Sequence, residues 1–285
     1  MTDIRPMNFG EILDGALVIY RRHFGLFLQL AVVTLSVPLL LLVYLGIRSF
    51  GALTMQPPNL QAVLLFIPVA IVYYLASLVL TAGTIRIISD SYLGRPPRLR
   101  DALSLGLSRL WPLVGVGLGK GILVCLVAFG IALVMVVLAA LAKGAGALAG
   151  ILLFAAGLSG VWFVAFVLCG YGVTTPVVAL EDLASSFDAF GRSWDLTRGL
   201  KLRVLGLGVV AFLLFNLLPN WVFQGLSAVT RGSPTVSIAL SVLATIVPAI
   251  LTPAVAAVVT LMYYDLRVRR EAFDLQVLGQ RLGII

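Results

Sequence analysis

Lys120 is the residue of this sequence whose type and position most suggest chemistry. It stands in the glycine-rich run Gly115-Val-Gly-Leu-Gly-Lys-Gly121, inside a long apolar stretch. A lysine at the centre of a bilayer costs about 3 kcal/mol, so such residues are rare and often functional. One interpretation is a polar cavity in which the ammonium contacts a substrate or a lipid headgroup. The other is a lysine that snorkels, or that caps carbonyls near the glycines, and the sequence leaves both open.

The glycines around Lys120 form two overlapping small-xxx-small pairs, Gly115 with Gly119 and Gly117 with Gly121. Such pairs allow two helix backbones to approach closely. The run superficially suggests a phosphate-binding loop, but the pattern G-x-x-x-x-G-K-[ST] is not met and no strand precedes it. We therefore predict close helix packing here and no nucleotide site.

A second candidate site is a group of acids and arginines near the ends of the apolar stretches. The acids are Asp14, Asp90, Asp101, Glu181, Asp188 and Asp265, and the arginines are Arg86, Arg192, Arg267 and Arg269. If they face one another across one layer, they can form a rim that binds lipid headgroups or docks a partner protein. The alternative, which we favour, is an ion-pair network that fixes short helices at the membrane surface.

Composition excludes most other site chemistry. The single histidine, His23, rules out a multi-histidine metal or haem site. Cys125 and Cys169 lie inside apolar runs without C-x-x-C spacing, so we predict two small buried hydrophobic residues. No Ser-His-Asp, H-E-x-x-H or paired-acid motif stands out. We predict no catalytic residue, no metal site and no cofactor.

The elements that must position these residues are membrane helices. The chain is 61% hydrophobic and 11% charged, whereas soluble domains carry about 25% charged residues. Its uncharged stretches are continuous rather than alternating and exceed the roughly 20 residues that cross a hydrocarbon core, which favours helices over a barrel. We place six spans near Leu26–Ile47, Ala62–Ile85, Val114–Leu138, Ala149–Thr174, Val204–Leu226 and Val236–Tyr263.

Basic residues set the predicted orientation. Most of the 20 lysines and arginines fall in the N-terminal segment, in the connectors after the second and fourth spans, and in the tail; the opposite connectors hold only Arg48, Lys143 and Arg231. The positive-inside rule then places both termini in the cytoplasm. The N-terminal segment lacks a signal peptide's features. We expect a multi-pass protein of a bacterial plasma (inner) membrane, whose net charge of +8 reflects topology rather than a nucleic-acid partner.

An internal repeat is suggested by Asp14, Asp101 and Asp188, which are equally spaced and begin the phrases DGAL, DALS and DAFG. Each lies in an amphipathic stretch before an odd-numbered span, and an acid ends each even-numbered span. The predicted units are 8–92, 98–182 and 183–270, with a cytoplasmic tail at 271–285; chance matching of short phrases is the alternative. The apolar stripes, typical of helices in the headgroup plane, are Phe9, Ile12, Leu13, Ala16, Leu17 and Tyr20, then Leu99, Ala102, Leu103, Leu107 and Leu110, then Leu183, Phe187, Phe190 and Trp194.

Three segments also carry a family resemblance. They are Arg5–Asp14 (RPMNFGEILD) with the nearby Tyr20-Arg21-Arg22, the stretch from Glu181 to Trp194, and Tyr263–Asp274 (YYDLRVRREAFD). Together they resemble the glycerophosphoryl diester phosphodiesterase membrane domain. In that family a separate soluble barrel carries the phosphodiesterase, and no barrel follows the last span here. The resemblance thus implies membrane integration and a lipid context, and it transfers no catalytic residue.

Three functions are consistent with these patterns. The favoured one is a non-enzymatic module that organises membrane lipids, or a membrane or cytoplasmic protein partner, through the charged layer. The second is a small-molecule or lipid transporter that uses Lys120 and the helix-breaking prolines inside the spans. The third, an intramembrane enzyme, would need paired reactive groups at one depth. The prolines are Pro38, Pro68, Pro219, Pro248 and Pro253, and the candidate binding residues are Lys120, Arg192, Asp188, Glu181, Asp101 and Asp14.

Overall fold

The protein is a helical bundle in the residues that a computed structural model describes, 5–50, 60–141, 146–229 and 234–273. The predicted connectors with Lys143 and Arg231, and nearly all of the predicted tail, lie outside these ranges. The helices are α1 (Phe9–Arg22), α2 (Phe24–Phe50), α3 (Leu60–Tyr92), α4 (Leu99–Ser108), α5 (Leu110–Leu141), α6 (Gly146–Gly170), α7 (Thr174–Leu180), α8 (Asp188–Thr197), α9 (Lys201–Phe212), α10 (Leu218–Val229) and α11 (Pro234–Glu271).

Within the described ranges, six helical segments are long and apolar enough to cross a membrane, which agrees with the predicted number and class of spans. Several of them run further than predicted, and among these α3 ends at Tyr92 and α11 at Glu271. Asp90 and Asp265 therefore lie within the last turns of helices, whereas Glu181 follows α7. The segments are Phe24–Leu45, Leu64–Tyr92, Leu110–Ala140, Leu153–Leu180, Lys201–Leu226 and Val242–Glu271.

Helix α11 is the central element of the bundle. It contacts α1, α2, α3, α7, α8, α9 and α10, while α2 packs along α3 and α5 packs against α6. Its buried residues Leu261, Met262 and Tyr263 join a core that also contains Phe27 and Leu80. Because α11 meets elements from the whole chain, side chains at its end can connect segments that are distant in sequence.

Large apolar side chains cover the outside of α5 and α6. Phe129, Phe154 and Trp162 are 70%, 75% and 56% exposed. Contiguous exposed apolar surface of this kind is unusual in soluble monomers and matches a hydrocarbon environment. This surface supports assignment of the chain to a membrane.

Four of the five prolines named above do not break the helices that contain them. Pro38 lies inside α2, Pro68 inside α3, and both Pro248 and Pro253 inside α11, which all continue through them. Proline is tolerated in membrane helices where neighbours re-satisfy the freed backbone groups. These four prolines therefore do not produce the broken helices that a transport site would use.

Two spans are irregular at other positions. The fourth is interrupted by a turn between Gly170 and Thr174, and the fifth contains a π-helical turn at Leu213–Leu217 just before Pro219. The Asn220 side chain donates to the Asn216 carbonyl at 2.8 Å, which satisfies an acceptor near the proline. The Asn220 side chain therefore makes its hydrogen bond within the fifth span.

Short helices precede the first, third and fifth spans. Ile12 and Ala16 are the buried residues of α1, and Ala102 and Gly106 are those of α4. In α8 the buried face differs from the predicted stripe, because Phe187 precedes the helix and is 67% exposed. The buried residues of α8 are mostly small, since the helix packs closely on the turn after α6: Ala189, Ser193, Leu196 and Thr197.

Gly106 allows α4 to lie directly on α3. A Cβ atom at this position would stand 2.7 Å from the carbonyl oxygen of Val79. We expect Gly106→Ala to destabilise the protein by about 1–3 kcal/mol, as overpacking against backbone does. The measurement is the free energy of unfolding in detergent micelles, with Gly10→Ala as the control because nothing lies within 4 Å of a Cβ there. Equal effects of the two substitutions would contradict this close contact.

Candidate functional site

Asp265 is the most completely buried charge of the described chain, with 0% exposure in α11. Its carboxylate accepts hydrogen bonds from Arg269 Nε at 3.0 Å and from the main-chain N–H of Met7 at 2.8 Å. Arg203, on α9, forms an ion pair with it at 3.2 Å. A buried carboxylate is stable only with such compensation, so Asp265 depends on three separate parts of the chain.

The segment before α1 is held by the same arginines. Arg203 and Arg269 both donate to the carbonyl oxygen of Met7, the latter at 2.8 Å. With the bond from the Met7 N–H to Asp265, both main-chain groups of one residue are satisfied by buried or half-buried side chains. The N-terminal segment is thereby connected to α9 and α11.

Glu11 organises the start of α1. Its carboxylate accepts from the main-chain N–H of Asn8 at 2.6 Å and forms an ion pair with Arg5 at 2.7 Å. The Asn8 N–H, and then the Arg5 guanidinium, lower the pKa of Glu11 from its ordinary value. Because the helix N-terminus carries unsatisfied donors, a charged glutamate three residues after Asn8 favours a helix that begins at Phe9.

A second cluster surrounds Arg192 of α8. The Arg192 Nε donates to Glu181 at 2.9 Å, and the other side of its guanidinium pairs with Glu271 at the end of α11. The hydrogen bond with Glu271, followed by that with Glu181, raises the pKa of Arg192 despite its partial burial. The guanidinium therefore stays charged between two carboxylates.

Tyr263 and Arg267 complete this cluster. The Tyr263 hydroxyl donates to Glu181 at 2.8 Å and accepts from Arg267 at 3.2 Å. Arg267 also donates to Glu271 at 3.1 Å. The end of the fourth span, α8 and α11 are thus joined by one chain of hydrogen bonds.

A third group connects α3 to α11. Asp90, which is 4% exposed, pairs with Arg86 one turn earlier at 3.0 Å. The hydroxyls of Ser89 and Tyr264 lie 2.6 Å apart, and the ring of Tyr264 stacks on Tyr92 with 5.0 Å between centroids. We call the paired residues of the three groups the charged layer: Arg86, Asp90, Glu181, Arg192, Arg203, Asp265, Arg267, Arg269 and Glu271.

The structure brings together half of the predicted acids. Asp90, Glu181 and Asp265 each pair with an arginine. Asp14, Asp101 and Asp188 are exposed and form no ion pair within the described ranges. Asp188 instead accepts from the main-chain N–H of Ser185 at 2.9 Å, at the start of α8. The three equally spaced aspartates therefore do not belong to the charged layer.

Sequence reasoning missed several members of these clusters. Arg203, Tyr263 and Glu271 are polar groups at helix ends, and their position beside apolar stretches was the available signal. Met7 contributes main-chain groups, for which a side-chain pattern holds no signal. Its role depends on where α1 sits relative to α11.

The three segments that carry the family resemblance meet in the charged layer. Met7, from the first, contacts Asp265 of the third, and Arg192, from the second, contacts Glu271 of the third. No family model, curated protein or solved structure matches the chain. The resemblance therefore stays a prediction, and the functional inference rests on the geometry of the charged layer and its surroundings.

Lys120 lies close to the charged layer. Its ammonium contacts the hydroxyl of Thr175 at 3.3 Å, and Thr175 belongs to α7, which ends directly before Glu181. A Cβ at Gly115 would meet Ser186 at 3.3 Å, and one at Gly119 would meet Phe190 at 2.9 Å. Gly115 and Gly119 thus permit close packing, in agreement with the first small-residue pair, whereas nothing lies within 4 Å of a Cβ at Gly121.

The polar groups that meet at Lys120 are its own ammonium and the Thr175 hydroxyl, and this pair alone does not make a catalytic site. Within the described ranges no acid pairs with Lys120, so it lacks the third, orienting group of a catalytic constellation. Cys125 and Cys169 are free; Cys169 is buried, whereas Cys125 is exposed on the outer surface of α5 rather than buried as predicted. The described residues contain no group of three metal-ligating side chains.

We expect Lys120→Leu to stabilise the protein, by about 1–3 kcal/mol, because an apolar side chain replaces a poorly partnered charge. Thr175→Val is the companion variant: it removes the ammonium's contact and should destabilise. Both are measured as unfolding free energies in micelles. Loss of stability in Lys120→Leu would show instead that the ammonium has a required partner.

Proposed function

We propose that the protein is a non-enzymatic, multi-pass membrane protein that organises anionic lipids at the cytoplasmic leaflet. The observation that carries this proposal is that the arginines fall into a paired set and an unpaired set. Those of the charged layer are matched by buried or half-buried acids. A second set, on and beside the short helices, is exposed and unmatched.

We call this second set the basic rim and define it as Arg21, Arg22, Arg98, Arg100 and Arg198. All five are exposed, and none forms an ion pair with a described residue. An arginine near the surface of an anionic membrane contributes about 1 kcal/mol of attraction. A ring of unmatched guanidiniums is therefore suited to phosphate-bearing headgroups.

The proposed arrangement places the basic rim at the depth of the lipid headgroups. The six spans form three hairpins, α2–α3, α5–α6 and the α9/α10–α11 pair, and α1, α4 and α8 lie along the headgroup region. Their buried faces, such as Ile12 and Ala16 in α1, turn toward the bundle, while the rim arginines on and beside these helices are exposed. The positive-inside rule assigns this side to the cytoplasm.

Lipid is favoured over the other candidates for physical reasons. A transporter that uses Lys120 would need a polar path, and among the residues that the structure describes the ammonium makes one side-chain hydrogen bond, with Thr175. A protein partner of opposite charge would also be attracted to the rim. Crosslinking in cells, described below, tests this alternative. The resemblance to a lipid-linked membrane domain is consistent with lipid binding at the rim.

The proposal is tested by lipid enrichment around the full chain in vesicles of phosphatidylglycerol and phosphatidylcholine. We expect phosphatidylglycerol to be enriched, and Arg98→Gln with Arg100→Gln to weaken this preference about fivefold per arginine. Asp101→Asn, a neighbouring exposed residue, is the control and should not weaken it. Added salt should reduce the enrichment.

Two results would contradict the proposal. One is equal occupancy of the two lipids around the unmodified protein. The other is crosslinking in cells that recovers one protein partner, lost in the arginine variants, while the lipid preference is unchanged. The second result would assign the rim to protein docking.

A further inference from the structure

A lateral crevice separates the fourth, fifth and sixth spans. It has a volume of about 310 Å³ and is formed by α6 with the turn that follows it, α9 and α11. This volume lies at the low end of the range of about 300–1,000 Å³ for ligand sites. All of its lining residues are apolar or small: Ala165, Leu168, Cys169, Gly172, Val204, Leu205, Gly208, Val209, Phe212, Val259 and Met262.

The crevice follows one face of α9. Leu205, Gly208 and Phe212 recur at intervals of three and four residues, which places them on the same side of the helix. From Val204 to Phe212 this face extends about 12 Å along the helix axis. Lys201 stands one turn before Leu205 on the same face of α9, so it lies one turn beyond the lining residues, at the end of the crevice nearest α8.

Aromatic rings hold the ammonium of Lys201 at that end. Its Nζ lies 3.1 Å from the ring centroid of Trp194, on α8, and 3.9 Å from that of Phe166, on α6. Such contacts orient a cation without neutralising it. In the described part of the chain no acid pairs with Lys201, and the neighbouring Arg198 is exposed and equally unmatched.

We propose that this crevice binds one acyl chain of an anionic phospholipid, whose phosphate is bound by Lys201. The crevice lies between spanning segments, and its lining residues Leu168, Val209 and Phe212 are exposed on the outside of the bundle. The molecules that can enter it from that side are those of the bilayer. Apart from the weak thiol of Cys169, its walls offer no hydrogen-bonding side chain to a polar solute, whereas the unmatched cation of Lys201 lies one turn beyond its end. The site rests on the proposed lipid-organising function and gives it one defined binding position.

Gly208 offers a direct way to fill the crevice. It lines the crevice, and nothing lies within 4 Å of a Cβ built there. A leucine at this position can therefore project into the space without displacing the protein. Gly130, on the exposed surface of α5, also has nothing within 4 Å, so Gly130→Leu is the matched control for a larger side chain facing lipid.

The test is photocrosslinking of the full chain in vesicles that contain phosphatidylglycerol with a diazirine on its acyl chain, or the same probe on phosphatidylcholine. We expect labelled peptides from α6 and α9 around the crevice. Gly208→Leu should reduce this labelling to the background level expected for random contact with bilayer lipids, while Gly130→Leu should not reduce it. Lys201→Gln should lower the preference for phosphatidylglycerol about fivefold, while Asp101→Asn, which lies outside both the rim and the crevice, should leave labelling at the crevice unchanged.

The outcomes separate this site from the general proposal. Equal crevice labelling in Gly208→Leu and the unmodified protein, or equal labelling by the two lipids, would overturn the site. If phosphatidylglycerol enrichment around the protein persists in that case, the proposed function stands without it. Absence of enrichment together with specific crevice labelling would instead support the site and contradict the role of the basic rim.

Discussion

Asp265→Asn is expected to destabilise the protein by about 3–5 kcal/mol, the usual cost of removing one partner from a buried ion pair. Asparagine keeps the shape of the side chain but removes its charge. Arg203 and Arg269 would then face each other and the carbonyl of Met7 without a compensating anion. The contact that anchors the segment before α1 would weaken at the same time. The measurement is the unfolding free energy in micelles.

Asp14→Asn is the matched control for this prediction. It is the same substitution in another cytoplasm-facing residue by our assignment, but Asp14 is exposed and has no ion pair among the described residues. Its effect should stay within about 0.5 kcal/mol. Similar losses in both variants would mean that Asp265 is not the anion around which these arginines are arranged.

Arg192→Gln is the second substitution with a large expected effect, about 2–3 kcal/mol of destabilisation. The loss is smaller than at Asp265 because the Arg192 side chain is 30% exposed. Without the guanidinium, Glu181 and Glu271 lose the cation that lies between them, while Glu181 keeps the Tyr263 hydroxyl and Glu271 keeps Arg267. We expect α8 to lose protection from hydrogen exchange before α3 does, because α3 is connected to α11 by a separate group.

Arg198→Gln provides the comparison for Arg192, since Arg198 is exposed and unpaired in the described chain. A double variant, Glu181→Gln with Arg192→Gln, should cost less than the sum of the single variants because the two side chains interact directly. Additive losses would indicate that Arg192 stabilises α8 by packing alone.

The division between the charged layer and the basic rim also has a functional consequence. Substitutions in the layer should change stability, while substitutions in the rim should change lipid preference and leave stability nearly unchanged. The two sets lie on the same side of the bundle, so they can be compared in one protein and one bilayer. Independent responses of the two quantities would be the clearest support for the proposed function.

Much of the architecture is determined by the sequence alone. Long uncharged stretches cannot leave their backbone groups unsatisfied in hydrocarbon, so their length and continuity dictate helices and their approximate ends. The close packing at Gly115 and Gly119 could also be predicted, because small residues act through local spacing. The pairing of Asp90 with Arg86, one turn apart, belongs to the same class. For the two cysteines the prediction of burial holds at Cys169 and is wrong at Cys125.

The sites were decided by the tertiary structure. Asp14, Asp101 and Asp188 share a sequence phrase, yet they remain outside the charged layer, while Met7 and Arg203 enter it without any motif. The crevice beside Lys201 likewise needs three helices that are far apart in the chain. The spacing of apolar residues predicts which face of a helix is apolar. Which other helix packs against that face depends on the arrangement of the whole bundle. Burial and ion pairing are properties of that packing, which is why residue types and spacing could not assign them.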